Sequence, residues 1–192
     1  MDFSCGKGQT KGESVRIHRF MIPNEEGDVD NPLRENIAAF MEAERKRRKF
    51  RHQDMAELFR NGSGQGLSYR TYIQTFRRKN NVTLKTLGIM AEGLDASIAS
   101  LLIGKDVVEP WAHKLDDPAL RERLALILTR ERESRGMSRV DMYKLIGVAE
   151  ATYQKLERGR DNVSVDTLAA IAKSLKRNPA TFLFDPAVPT VD

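Results

Sequence analysis

The chain has 192 residues, 32 of them Lys or Arg and 27 Asp or Glu, and its formal net charge at pH 7 is +5. A single cysteine excludes a disulfide framework or a cysteine-based zinc site within the chain, and three scattered histidines have no metal-ligand spacing. No apolar run is as long as a membrane span, and the N-terminus lacks the apolar segment of a secretion signal. We therefore expect a soluble, cytoplasmic protein without a cofactor, built as one medium-sized domain or two small ones.

Residues 1–31 are expected to form an N-terminal arm outside the core. Residues 1–14 are polar and rich in glycine, which is typical of a disordered segment. Residues 15–22 alternate apolar and basic side chains, a pattern that favours a short strand. A helical fold offers such a strand no partner, so we expect it to pair with the same segment of a second chain and to form a homodimer.

From residue 33 onward the sequence repeats itself. Residues 33–59 align without a gap on residues 120–146 at an offset of 87, and residues 80–103 align on residues 161–184 at an offset of 81. The first repeat therefore carries six extra residues between its two blocks. Two collinear blocks predict a pair of similar small domains. Their expected bounds are 32–104 and 118–184, with a linker at 105–117 and a tail at 185–192.

The first repeat is predicted to be helical on both sides of a glycine-rich insertion. Its first helix begins at Pro32, with Asn31 as the N-cap. That helix ends in the basic run 45–49, whose charges either stabilise the helix C-terminus or contact phosphates. The insertion lies at 61–66, and the next helix falls within 67–79.

Apolar spacing, caps and glycines predict five helices in the second repeat. Gly136 is expected to end the first of them and Ser138 to cap the second, which stops at Gly147. Two short helices joined by a few residues that include a glycine describe a helix-turn-helix. The expected helices span about 118–134, 139–146, 150–158, 165–175 and 179–184.

Residues 136–159 (GMSRVDMYKLIGVAEATYQKLERG) resemble the DNA-binding domain of the lambda-repressor and Cro family, the XRE family, and residues 163–184 continue that pattern. The resemblance covers both repeats and is most specific in the second. It implies an all-α protein with two tandem five-helix units, each holding a helix-turn-helix. In this family the glutamate that ends the recognition helix, here Glu157, commonly pairs with an arginine of the first helix, and Arg132 is the best-placed candidate.

Each repeat also departs from the family pattern. Tyr143 occupies a position that is usually alanine, whereas the first repeat keeps Ala56 there. The first repeat lacks the turn glycine and is expected to place Arg77 at the position of Glu157, so that Arg45 has no equivalent ion pair. It stays open whether one repeat has exchanged base contacts for protein contacts.

In the family the third helix lies in the major groove with its N-terminal residues at the base edges. In the first repeat we expect Ile73 and Phe76 to face the core. Arg70 is then the strongest candidate for a base contact, because bidentate arginine–guanine pairing is the commonest specific one. The DNA-binding residues predicted in this repeat are Ser68, Tyr69, Arg70, Thr71, Gln74 and Thr75 on the helix, and Arg77, Arg78 and Lys79 at phosphates.

In the second repeat Tyr153 and Leu156 are expected to face inward. A glutamate can accept from cytosine, alanine and threonine methyl groups can touch the thymine methyl, and lysine can donate to guanine. Glu150 is equally well explained as a helix-start residue that the helix dipole stabilises. The predicted DNA-binding residues are Glu150, Ala151, Thr152 and Lys155 at the bases, and Arg139, Arg158, Arg160 and Asn162 at phosphates.

Three classes of function fit these features to different degrees. The residues of the two repeats sum to +6 and +5, so the positive charge lies in the expected folded units, as in proteins that bind nucleic-acid phosphates. This favours a sequence-specific regulator of phage or bacterial type that binds double-stranded DNA. The alternative is a protein-interaction regulator, such as an antiactivator or antitoxin, with one repeat gripping a partner protein. An enzyme is least favoured, because the sequence contains no acidic cluster, nucleophile–base set or phosphate-binding loop.

Overall fold

A computed structural model describes residues 31–60 and 66–188. Their regular structure is helical, which confirms the predicted all-α class, and the strand predicted at 15–22 lies outside the described residues. Among the described residues, none of the helices is long and apolar enough to cross a membrane. The α-helices are α1 (Pro32–Arg48), α2 (His52–Leu58), α3 (Tyr69–Phe76), α4 (Leu84–Leu94), α5 (Ile98–Leu102), α6 (Asp117–Ser134), α7 (Arg139–Ile146), α8 (Glu150–Glu157) and α9 (Val165–Ser174), and 3-10 turns lie at Pro110–Lys114 and Phe182–Phe184.

The helix bounds follow the two sequence offsets. Helix α7 begins 87 residues after α2, whereas α8 and α9 begin 81 residues after α3 and α4. The six extra residues therefore fall between α2 and α3, as predicted. The fifth segment differs, because α5 is a short α-helix whereas the second repeat ends in the 3-10 turn Phe182–Phe184 instead of the expected fifth helix.

Local capping explains where several of these helices begin. The side-chain oxygen of Asn31 accepts from the backbone N–H of Leu33 at 2.9 Å at the start of α1. Ser68 and Ser138 cap α3 and α7 in the same way. The predicted N-caps Asn31 and Ser138 are confirmed, and each of the three residues satisfies a backbone donor that the first helical turn leaves free.

Backbone positions with positive φ recur at the same offsets. Arg78 (φ 62°) corresponds to Gly159 (φ 64°), and Lys49 (φ 57°) corresponds to Gly136 (φ 60°). Glycine adopts this left-handed conformation without the steric cost that a side chain brings. The second repeat therefore has the less strained residue at both turns.

Backbone hydrogen bonds join the two repeats in a reciprocal pattern. The N–H of Leu84 donates to the carbonyl of Val163 at 3.0 Å, and the N–H of Val165 donates to the carbonyl of Val82 at 2.8 Å. At the offset of 81, Val165 is the counterpart of Leu84 and Val163 is the counterpart of Val82. The same two positions thus serve as donor and acceptor in both directions, which is the signature of a twofold contact.

A second reciprocal pair extends this contact. The side-chain oxygen of Asn162 accepts from the N–H of Lys85, and that of Asn81 accepts from the N–H of Asp166, both at 3.2 Å. Helix packing is reciprocal as well. Helix α1 of the first repeat contacts α9 of the second, and α4 of the first contacts α6 of the second. The two repeats therefore face each other about an approximate internal twofold axis that passes through residues 81–85 and 162–166.

One ion pair breaks this symmetry. Arg34 is only 6 % exposed and forms a hydrogen-bonded ion pair with the carboxylate of Asp166. The counterpart of Asp166 is Lys85, which offers no carboxylate to Arg121 on the other side. Arg121 instead pairs with Asp117 in its own helix at 3.0 Å.

Candidate nucleic-acid interface

Helix α3 presents most of its predicted contact residues to solvent. Ser68, Tyr69 and Arg70 are exposed, while Thr71 and Gln74 are half-buried. The Ser68 hydroxyl also caps the helix by accepting from the N–H of Thr71 at 3.0 Å. The N-terminal half of α3 therefore offers a phenol, a guanidinium and smaller polar groups on one exposed surface.

The expected inward face of α3 was wrong by one residue. Tyr72 is fully buried and Thr75 is 4 % exposed, whereas Ile73 and Phe76 are only partly buried. The Thr75 hydroxyl donates to the carbonyl of Thr71 at 2.9 Å. Thr75 therefore belongs to the buried face and not to the exposed one on which the sequence analysis placed it.

The cause is the point at which the alignment shifts. The offset of 81 already holds from Tyr69, the first residue of α3, so Phe76 and not Arg77 is the counterpart of Glu157. Arg77 had been predicted as the counterpart of Glu157. Once the shift is moved into the insertion, the buried residues of α3 and α8 correspond.

Glu157 connects three parts of the second repeat. Its carboxylate accepts from Arg132 of α6 at 3.1 Å and lies 2.7 Å from a guanidinium nitrogen of Arg139 at the start of α7. It also accepts from the hydroxyl of the buried Tyr153 at 3.2 Å, and burial, with the nearby Glu157 charge, raises the pKa of that phenol. The predicted Arg132–Glu157 pair is confirmed, and Arg139, a predicted phosphate residue, holds this carboxylate in the free protein.

The first repeat fills the same place with aromatic side chains. Phe76 replaces the glutamate, and the ring of His52 lies edge-on to it with centroids 4.7 Å apart. The Nδ1 of His52 is 2.8 Å from the hydroxyl of Tyr72, whose pKa burial raises to about 12. Arg45, which was expected to lack the equivalent ion pair, binds Glu42 of its own helix.

Helix α8 has the expected orientation. Tyr153 and Leu156 are buried, which confirms the predicted inward face. On the other side Glu150, Ala151 and Lys155 are exposed and Thr152 is half-buried. Gln154 is also exposed, and its amide donates to Glu150 at 3.2 Å. The sequence analysis missed Gln154, although its spacing of four residues from Glu150 places both on one helix face.

The arginines divide into two groups. Among the described residues, nearly every arginine side chain donates to a carboxylate or to a backbone carbonyl. The exceptions all lie on α3 or directly after α3 and α8, and within the described part of the chain they have no such partner: Arg70, Arg77, Arg158 and Arg160. The described surface around α3 and α8 therefore carries arginine charge that is not neutralised, whereas arginines elsewhere in the described fold have partners.

Two other predicted phosphate residues have partners within the protein. Arg78 donates to Glu35 of α1 at 2.9 Å. Asn162 accepts from the backbone of Lys85 at the contact between the repeats. Lys79 and Lys155 are exposed, and their ammonium groups have no hydrogen bond or ion pair among the described residues. No cluster of His, Cys, Asp or Glu in the described ranges is arranged to hold a metal ion.

Comparison with known proteins supports the resemblance for the second repeat. Residues 128–182 match the model of a helix-turn-helix family. The matched range contains α7, α8 and α9, so the second repeat holds a helix-turn-helix of the lambda-repressor-like kind, a fold element of DNA-binding regulators. Neither a curated protein nor a solved structure was found to match the chain.

Proposed function

We propose that this protein is a sequence-specific transcriptional regulator of phage or bacterial type that binds double-stranded DNA in the cytoplasm. It would do so through two tandem helix-turn-helix units, one in residues 32–104 and one in residues 118–184. The observation that carries the proposal is the position of the unpartnered arginines beside α3 and α8.

Phosphate binding requires cations that are not already neutralised. Arg77 and Arg158 occupy equivalent positions at the ends of α3 and α8, and Lys79 and Arg160 form a second equivalent pair two residues later. Residues at the end of a recognition helix lie beside the DNA backbone when its start lies in the major groove. The equivalent cations support DNA contact by both repeats.

The sides of the same helices that do not face the core supply groups for base contacts. Arg70 and Gln74 on α3 can form the bidentate contacts that distinguish guanine and adenine. On α8, Glu150 can accept from cytosine and Lys155 can donate to guanine. These differing side chains support sequence-specific binding over purely electrostatic attachment.

The test removes phosphate contacts from both repeats at once. In R77A/R158A, the dependence of log affinity on log salt should become shallower by roughly 0.9 for each lost contact, on all duplex sequences. The matched control is R130A/R177A, which removes the same charge from arginines that are exposed but bonded to the carbonyl of Ala187 and to the carboxylate of Glu131. Affinity is measured by fluorescence anisotropy at several salt concentrations.

Equal salt dependence in the two double variants would contradict the proposal. If R158A alone leaves both affinity and salt dependence unchanged while R77A alters them, the second repeat does not contact DNA. That result would favour the alternative, in which one repeat binds a partner protein as in an antiactivator or antitoxin.

A further inference from the structure

The contact between the repeats determines their relative orientation. Leu84 donates to Val163 while its counterpart Val165 donates to Val82, so each repeat uses the same residues against the other. A head-to-tail contact would join unlike surfaces and would not exchange donor and acceptor in this way. The two repeats are therefore inverted relative to each other and not translated along a line.

Inversion has a direct consequence for α3 and α8. Helices related by a twofold axis meet DNA half-sites that are also related by a twofold axis, so the site is an inverted repeat. Two units joined like beads would instead fit a direct repeat. The cations after α3 and α8 flank this axis, because Lys79 and Arg160 each precede the contact segments 81–85 and 162–166 by two residues or fewer along the chain.

The residues that face the bases do not share this symmetry. Thr71 and Thr152 are identical counterparts, and two pairs of cations after the helices, Arg77 with Arg158 and Lys79 with Arg160, are equivalent in charge. Other positions outside the buried faces of α3 and α8 differ in chemistry between the repeats: Tyr69 against Glu150, Arg70 against Ala151, and Gln74 against Lys155. Because the two repeats have equivalent cations for phosphates but different side chains for bases, we expect them to bind two unlike half-sites with similar affinity.

We propose that a single chain binds an inverted repeat with two different half-sites, one contacted by α3 and the other by α8. This inference rests on the proposed DNA-binding function and adds the orientation, spacing and asymmetry of the site. One chain thus does what two identical subunits do on a symmetric operator, and the unlike halves give the bound protein a defined direction on the DNA.

The contact also fixes the spacing of the half-sites. The backbone bonds at residues 82–84 and 163–165, together with the buried Arg34–Asp166 pair, hold the repeats against each other. Twofold-related helix-turn-helix units bind half-sites about 10 base pairs apart, centre to centre, or a multiple of that. About 5 extra base pairs would turn one half-site to the opposite face of the duplex, and binding would fall by roughly 100-fold or more because only one repeat could engage.

The experiment selects binding sites for the full-length protein from a library of randomised duplex DNA. We expect enrichment of two unlike half-sites in inverted orientation at one fixed spacing. Duplexes with one half-site reversed, or with half a helical turn inserted, are then compared with the selected site. A direct repeat, two identical half-sites, or tolerance of any spacing would overturn the inference.

Single variants then assign the half-sites. R70A should lower discrimination roughly 5- to 150-fold at a position in one half-site only, and K155A should relax preference in the other. R177A removes an exposed arginine that is paired with Glu131; it serves as the control and should leave both halves unchanged. Loss of preference in the same half-site with both variants would also overturn the assignment. If no duplex is enriched at all, the proposed function itself fails, which is distinct from enrichment of a site with the wrong symmetry.

Discussion

At the scale of single residues, the two repeats stabilise the same junction by different chemistry. In the second repeat the Glu157 carboxylate links Arg132, Arg139 and Tyr153. In the first, Phe76 takes the place of Glu157 and packs against His52. A buried carboxylate is stable only when its charge is paired and its oxygens accept hydrogen bonds, whereas an aromatic ring needs only packing.

Removing the Glu157 carboxylate should therefore destabilise the second repeat. E157A removes the acceptor of the Tyr153 hydroxyl and the less exposed of the two carboxylates that Arg132 contacts; Arg132 itself is 18 % exposed. We expect the free energy of unfolding to fall by about 2–3 kcal/mol, less than for a fully buried pair because Arg132 and Arg139 retain access to water. Urea denaturation measures the change.

The control for this variant is E133A, because Glu133 also contacts Arg132 but is 63 % exposed. Its unfolding midpoint should stay close to that of the wild type. A wild-type midpoint for E157A as well would show that the carboxylate contributes nothing to stability.

At the scale of the elements, the sequence was sufficient to predict the first four helices of the second repeat but not its fifth segment or the register of α3. Caps and glycines at Asn31, Ser138 and Gly147 carry local signals, and the structure confirms the helix bounds that they predicted. The inward face of α3 depends on where the insertion ends, and no local signal marks that point. Thr75 was placed on the wrong face because the alignment was shifted after α3 instead of before it, and its burial costs little because its hydroxyl donates to the helix's own backbone.

Helix α4 allows a paired test of close packing between elements. A Cβ at Gly93 would lie 2.6 Å from the carbonyl oxygen of Leu58 and 2.9 Å from the ring of Phe59, so α4 and the end of α2 would have to separate. We expect G93A to lower the free energy of unfolding by about 1–3 kcal/mol.

Gly88 in the same helix provides the control, with the opposite sign. A Cβ there would make ordinary contacts, 3.8 Å from Asp117 and 3.9 Å from Ile98. Since alanine favours a helix more than glycine does, G88A should raise stability by about 0.5–1 kcal/mol. Thermal or urea unfolding of both variants measures these changes. Equal stability of G93A and G88A would mean that α2 moves away from α4 without a loss of free energy of unfolding.

At the scale of the whole molecule, the contact between the repeats was not predicted from the sequence. It combines backbone hydrogen bonds at residues 82–84 and 163–165, whose side chains carry no distinctive pattern, with packing of α1 on α9 and of α4 on α6. The ion pair between Arg34 and Asp166 joins positions more than a hundred residues apart, and its counterpart positions hold Lys85 and Arg121, so the repeat alignment gives no indication of it.

The N-terminal arm raises the question of how many chains assemble. If the strand proposed at residues 15–22 pairs with that of a second chain, the dimer would carry two internally twofold units, each able to occupy its own inverted repeat. Deleting residues 1–30 leaves the Asn31 cap of α1 in place, and this cap also bonds to Asp166. We therefore expect the shortened chain to keep its fold and its affinity for a single inverted repeat, while its mass in solution falls from that of a dimer to that of one chain.

Light scattering coupled to size-exclusion chromatography measures the mass, and titration with duplex of known concentration counts the chains bound to each inverted repeat. Each inverted repeat should bind one chain of either the full-length or the shortened protein, because residues that the deletion leaves in place form the described hydrogen bonds between the repeats. The full-length protein should bind a duplex that carries two inverted repeats more tightly than the shortened protein does, because only the paired arms link neighbouring chains. An unchanged mass after deletion would contradict pairing through the arm, and two shortened chains on one inverted repeat would contradict the internal twofold as the unit that binds DNA.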